Sequence, residues 1–283
     1  GKNASPQVSL KASKLALIES NNSGFIGVFD SGIGGLSVLQ ALRAEMPQER
    51  FVYWADRGFA PYGERSDEFV IERSHFVTQQ LLAQGSVKAV VVACNTATAA
   101  AINLLRERYA LPVIGVEPAV KPAAEQSRSG VVGVLATSGT IASDKFLNLQ
   151  SRFSDRVQIL TRAGTGLVEL IEQPHYDDTA MLSLLRSLIA PMQDQGADTL
   201  VLGCTHYSLI KQQIARVGGP HLRIVDAGDA VARELQRRLQ TQQLRSLSES
   251  SEPVRFVTSG ELGVQRELLQ RYWPEPAELI ALV

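Results

Sequence analysis

Two stretches of this chain match each other in order and nearly in spacing, and each closes a hydrophobic run on a cysteine. Val131-Val132-Gly133-Val134-Leu135-Ala136-Thr137-Ser138-Gly139 resembles Ile26-Gly27-Val28-Phe29-Asp30-Ser31-Gly32. Thr199-Leu200-Val201-Leu202-Gly203-Cys204-Thr205 resembles Val90-Val91-Val92-Ala93-Cys94-Asn95. Asp30 precedes Cys94 by 64 positions, and Ala136 precedes Cys204 by 68. Repetition on this scale predicts two related halves.

The repeated runs also say what kind of half. Ala89-Val90-Val91-Val92-Ala93 is apolar without alternation, the pattern of a parallel strand covered on both faces. Phe51–Trp54 and Val113–Val116 read as further strands, and Leu36–Ala44 as a helix. Residues 66–84 read as a helix capped by Ser66, with Asp67 and Glu68 in its first turn. Strands alternating with helices predict parallel sheets. The expected fold is α/β, with two related domains, each a mainly parallel sheet flanked by helices. The active site is expected in the interdomain cleft. Residues 24–117 with 228–283 form the expected first domain, because Val254–Thr258 reads as a strand returning to it; residues 118–227 form the second. Residues 1–23 read as a polar N-terminal extension with a regulatory role, and Val8–Ile18 has weak helical periodicity. Gln243–Pro253, rich in Ser and Glu, reads as a flexible loop.

Composition narrows the function. At 283 residues and 45% hydrophobic, the chain can bury a sizeable core. The net charge is -1, with Lys and Arg scattered among acids, so no basic stripe suggests a nucleic-acid or membrane partner. No run of about 18 apolar residues could span a membrane. Two cysteines are too few for a secreted disulfide scaffold, which points to a reducing, cytoplasmic setting.

Ligands of open parallel sheets bind beyond the carboxyl ends of strands. Cys94, Cys204, Asp30, Ser31 and Thr137 all fall there. Facing halves would place one cysteine on each wall of a cleft. A thiol and a thiolate near neutral pH can give and take a proton. Two of them on opposite faces of a tetrahedral carbon can invert it, which predicts an amino-acid racemase. Asn95-Thr96 and Thr205-His206 follow the cysteines where helices should begin, and helix N-termini stabilise thiolates and bind carboxylates. His206 either works with Cys204 or is a structural histidine. Asp30 either meets a substrate ammonium, assists Cys94, or caps a turn. The Gly32-Ile33-Gly34-Gly35 loop superficially resembles a phosphate cradle, but it lacks the Walker lysine; Gly34-Gly35 reads better as allowing close packing. The cysteines lack metal-site spacing, and His75, His175 and His221 stand alone. Lys88, Lys121, Lys145 and Lys211 read as surface residues rather than Schiff-base lysines. No cofactor is expected.

Five motifs together resemble the glutamate racemase family. They are Phe29-Asp30-Ser31-Gly32-Ile33-Gly34-Gly35-Leu36-Ser37-Val38, Pro61-Tyr62-Gly63, Ala93-Cys94-Asn95-Thr96-Ala97, Gly115-Val116-Glu117-Pro118-Ala119 and Leu202-Gly203-Cys204-Thr205-His206-Tyr207. The resemblance runs from about Phe25 to Asp226. It implies cofactor-independent interconversion of L- and D-glutamate, with D-glutamate feeding peptidoglycan synthesis and so cell-wall biogenesis and cell shape. It implies Cys94 and Cys204 as the proton-transfer pair, with Asp30, His206 and Glu172 assisting. It implies substrate contacts from Asp30, Ser31, Pro61, Tyr62, Gly63, Asn95, Thr96, Thr137, Thr205 and His206. Ser208 departs from the proline usual in that last motif. The extension before Phe25 is similar in length to that of relatives activated by UDP-N-acetylmuramoyl-L-alanine, and on length alone that precursor is an expected partner beside L- and D-glutamate. The expected assembly is a monomer or homodimer. The competing readings are an aspartate racemase, a Cys–His hydrolase using Cys204 and His206, and a binding protein without catalysis.

Overall fold

The computed structural model describes residues 22–280 and 282. The first half of the repeat supplies strands β1 (Phe25–Asp30), β2 (Arg50–Ala55), β3 (Val87–Val92) and β4 (Val113–Ile114). The second supplies β5 (Val131–Ala136), β6 (Gln158–Ala163), β7 (Thr199–Leu202) and β8 (Arg223–Val225). The four strands of each half are parallel and follow one spatial order: β2-β1-β3-β4 in one sheet and β6-β5-β7-β8 in the other. The internal repeat is therefore a repeat of topology. The chain returns to the first sheet through β9 (Val254–Thr258), which pairs with β2, and β10 (Ala277–Ile280), which pairs with β9.

The central strands are apolar because both faces are covered. Ala89 and Val91 of β3 join one buried cluster, while Val90 and Val92 join another on the opposite face. The sequence missed β6 and β10 because they are edge strands. Gln158, Thr161 and Arg162 face solvent, as do Ala277 and Glu278. The strand expected over Val113–Val116 stops at Ile114, and the Val116 amide turns to Thr98 Oγ1 at 3.1 Å instead.

Helix α1 (Leu36–Glu45) follows the glycine loop, and α2 (Asp67–Ala83) starts where expected. Ser66 Oγ accepts from the Phe69 amide and caps the latter. Lys88 corrects a sequence expectation. It is buried rather than on the surface: its Nζ pairs with Glu49 Oε2 at 2.6 Å and donates to the carbonyls of Asn22 and Leu244. Gln243–Pro253 has no regular structure but is pinned over this pair, through the Ser246 amide to Glu49 Oε1 and Arg43 to the Glu252 carbonyl. The helix expected over Val8–Ile18 lies outside the described residues. No helix among the described residues is long and apolar enough to cross a membrane.

Candidate active site

Both sheets change direction between their first and third strands, and a crevice opens beyond those strand ends. In the first sheet Asp30 ends β1 and Cys94 follows β3; in the second Thr137 follows β5 and Cys204 follows β7. The two crevices form one cleft. Asp30, Ser31, Pro61, Tyr62, Gly63, Cys94, Asn95, Thr96, Thr137, Cys204, Thr205 and His206 all line it, as the sequence expected. Glu172 does not line it and stands behind His206.

The two cysteines are free thiols, 5% and 6% exposed. Their surroundings differ. Cys94 caps α3 (Asn95–Arg108), and its Sγ accepts from the Ala97 amide at 3.4 Å. Burial, with the Asp30 carboxylate beside it, pushes the Cys94 thiol well above its ordinary range. Cys204 leads only a single helical turn, Thr205–Ser208, and its side chain makes no capping bond. The expectation of a helix N-terminus tuning both thiols thus has a capping contact at Cys94 alone. Cys204 has a different partner: His206 Nδ1 lies 3.9 Å from its Sγ.

His206 is 2% exposed and lies between two carboxylates. Its Nε2 meets Glu172 Oε1 at 2.6 Å, and its Nδ1 stands 3.7 Å from Asp30 Oδ2. Burial opposes its charge. Asp30, the Cys204 sulfur and Glu172 outweigh burial and hold the imidazolium well above the usual histidine range. Burial also works against the Glu172 carboxylate, but His206 and Arg57 hold it below the usual range. Asp30 shifts the other way, raised mainly by burial. Its Oδ2 accepts from the Gly32 and Gly35 amides at 3.2 Å each, so the turn-capping reading is correct. Its Oδ1 is buried and accepts no hydrogen bond from the described residues, which leaves the carboxylate free for a second role.

The glycine loop takes its shape from these same side chains. A Cβ on Gly32 would stand 1.8 Å from Glu172 Oε1, and one on Gly34 would stand 2.2 Å from His206 Nδ1. The space a phosphate cradle would need is filled by a carboxylate and an imidazole. The loop permits close approach, as the sequence reading favoured.

Several contacts join the walls. Thr96 Oγ1 and Thr137 Oγ1 are 2.7 Å apart, and the Gly139 amide donates to the Gly63 carbonyl at 2.9 Å. Thr205 Oγ1 donates to the Ala93 carbonyl at 2.8 Å. Tyr62 is held by its hydroxyl on Asp56, which Arg73 pairs at 2.8 and 2.9 Å. Sequence reasoning missed Glu64, Gly164, Thr165, Gly166, Val168, Glu169, Ser138 and Tyr207 among the lining residues. The Gly164-Thr165-Gly166 turn after β6, with Gly166 at φ +91°, was the available signal, hidden because β6 was not recognised. It also missed Arg57, whose Nε donates to Glu172 Oε2 at 2.7 Å.

Comparison with known proteins agrees with this geometry. The family model described as Asp/Glu/hydantoin racemase matches residues 36–235. A glutamate racemase of Ralstonia nicotianae is 50% identical over 237 residues, 84% of this chain and 85% of the relative. The crystal structure of a glutamate racemase isoform from Bacillus anthracis superposes with a TM-score of 0.82 at 31% identity, over 92% of this chain and 97% of that one. The Escherichia coli glutamate racemase, solved with L-glutamate and the activator UDP-MurNAc-ala, gives 0.80 at 34% identity, over 92% and 99%.

Proposed function

This chain belongs to the Asp/Glu/hydantoin racemase family and is an amino-acid racemase, and on that premise we propose that Cys94 and Cys204 interconvert L- and D-glutamate by two-base proton transfer. The observation that carries this reading is one cleft with a buried free thiol at the equivalent strand end of each wall, each beside a different ionisable partner.

One sulfur, as thiolate, takes the α-proton, and the other, as thiol, returns a proton to the opposite face. The carbanion between them adds charge beside an existing carboxylate, so fixed donors must stabilise it. Ser31, Asn95, Thr96, Thr137 and Thr205 line the cleft and are the candidates to supply them; the Thr205 hydroxyl already donates to the Ala93 carbonyl, which leaves that residue its backbone amide. The unbonded Asp30 Oδ1 suits the substrate ammonium or the Cys94 proton. His206, held by Glu172 as an imidazolium, plays the complementary part at Cys204, where its positive charge steadies the thiolate. No cofactor is required. Residues 24–117 with 228–283 would move as one domain and 118–227 as the other, closing to exclude water.

The D-glutamate formed would supply peptidoglycan synthesis in the cytoplasm. Activation by UDP-N-acetylmuramoyl-L-alanine is part of the same proposal, motivated by the Escherichia coli relative, with residues 1–23 as the segment to test. Removing those residues should abolish the response to the precursor; unchanged activity with and without it in both forms rules the regulation out.

The mechanism is tested by following optical rotation of L-glutamate with no cofactor added. Cys94→Ser and Cys204→Ser should each abolish racemisation. Full racemisation by both variants overturns the two-base reading.

A further inference from the structure

Arg57 takes no part in the proton transfer just described, yet it ties the first sheet to the residue behind the Cys204 wall. We propose that Arg57 is a positioning residue that fixes Glu172, and through it His206, against Cys204, so that it governs proton transfer chiefly on that wall. The inference rests on the two-cysteine reading.

Arg57 opens a short 3-10 turn, Arg57–Phe59, after β2; Glu172 closes the short helix Leu167–Ile171 in the other half. The guanidinium grips Glu172 twice, from Nε to Oε2 at 2.7 Å and from Nη2 to the main-chain carbonyl at 3.3 Å. The second carboxylate oxygen accepts from the Ile33 amide and from His206 Nε2, each at 2.6 Å. Both oxygens are thus engaged, and the carboxylate plane cannot turn without losing a bond. That plane sets the His206 ring, because only one ring orientation joins Nε2 to Oε1 while Nδ1 faces Cys204 Sγ.

The guanidinium is itself confined. Its residue packs against Gly260, where a Cβ would stand 2.9 Å from Arg57 Cβ, and the next amide, Gly58, donates to Ser259 Oγ at 3.1 Å. The Arg57 and Glu172 side chains are 13% and 11% exposed, so the pair is largely sheltered from screening water. Among the described residues, the hydrogen bonds of the Arg57 side chain go to Glu172. On the other wall, the glycine-loop amides hold Asp30 and the Ala97 amide holds Cys94. Arg57 makes none of those bonds itself and reaches that loop only through Glu172 and the Ile33 amide.

A racemase needs a particular test. The two enantiomers have equal free energy, so kcat/KM is the same in both directions for every variant, and a defect on one wall cannot appear there. It appears in primary isotope effects. Slowing the Cys204 step makes deprotonation more limiting for the enantiomer that Cys204 deprotonates. For the other enantiomer it makes reprotonation more limiting and masks deprotonation.

The experiment uses Arg57→Gln and Arg57→Lys with both cysteines intact. Arg57→Gln should lower kcat about 10-fold, the low end of what losing the direct outer partner of a metal-bound histidine costs, because Arg57 acts on His206 one step removed. KM should change little. Arg57→Lys should recover part of the loss, since it keeps the charge without the planar fork. With L- and D-glutamate deuterated at Cα, the isotope effect on kcat/KM should rise for one enantiomer and fall for the other. Parental kcat in Arg57→Gln overturns the proposal. So do isotope effects that stay put or move together, which mark a merely structural role. Failure of the two-cysteine reading is seen separately, as racemisation surviving in Cys94→Ser and Cys204→Ser.

Discussion

Gly34 lies against the ring of His206 so closely that a Cβ added to it would stand 2.2 Å from Nδ1 and 2.5 Å from Cγ. Gly34→Ala should therefore displace the imidazole from Cys204. A displacement near 1 Å in a catalytic group costs on the order of 100-fold, and a kcat loss of that size is the expected outcome. Gly228→Ala is the control, because its Cβ would meet only ordinary contacts at 3.5 and 3.7 Å. Steady-state kinetics of the two variants check this; equal activity in both contradicts the packing argument.

Glu172 and His206 also set a pH dependence of stability. Glu172 is held below its ordinary 4.5 and His206 well above its ordinary 6.5. The groups facing them are Asp30, Arg57, Cys204 and Tyr272. A carboxyl with a lowered value stabilises the fold above 4.5 and loses that contribution as pH falls through its folded value. A histidine with a raised value contributes fully below 6.5 and loses the contribution as pH rises through its folded value. Both contributions are full between 4.5 and 6.5. The Tm deficit of Glu172→Gln against the parent should be largest in that window and shrink as pH rises beyond it. Thermal unfolding across the range checks this, and a deficit that grows above 6.5 contradicts it.

Lys88 and Glu49 form a buried pair, 3% and 1% exposed, remote from the cleft. Lys88→Met leaves the Glu49 carboxylate buried without its cation, at a cost of roughly 3 kcal/mol. Removing both charges, as Lys88→Met with Glu49→Leu, should recover much of that loss. Below its melting range the single variant should keep parental kcat. Urea unfolding of the three proteins measures the difference; a single variant as stable as the parent refutes the reading.

The parts of the fold legible in the sequence were those whose burial dictates composition. Val90, Val91 and Val92 could only suit a strand covered on both faces, whereas Gln158 and Arg162 of β6 suit an exposed edge as well as a loop. Cys94, Cys204, Asp30 and His206 were legible because strand ends place them. Arg57 was not, because its partner Glu172 lies 115 residues away and only packing of the two sheets brings them together. The glycine loop was ambiguous for a chemical reason. A phosphate and an incoming side chain both require a missing Cβ, and the sequence does not say which arrives. Lys88 was misread because a lysine at the start of a central strand is exposed unless another segment covers it, and Asn22 and Leu244 do so here.

The hydroxyls of Thr96 and Thr137 touch across the cleft, Gly139 is bonded to Gly63, and both cysteines are almost wholly covered. Any parting of the two walls has to break these bonds first, and any closure remakes them. Solvent viscosity drags on such a passage, whereas a proton moving between fixed atoms does not feel it.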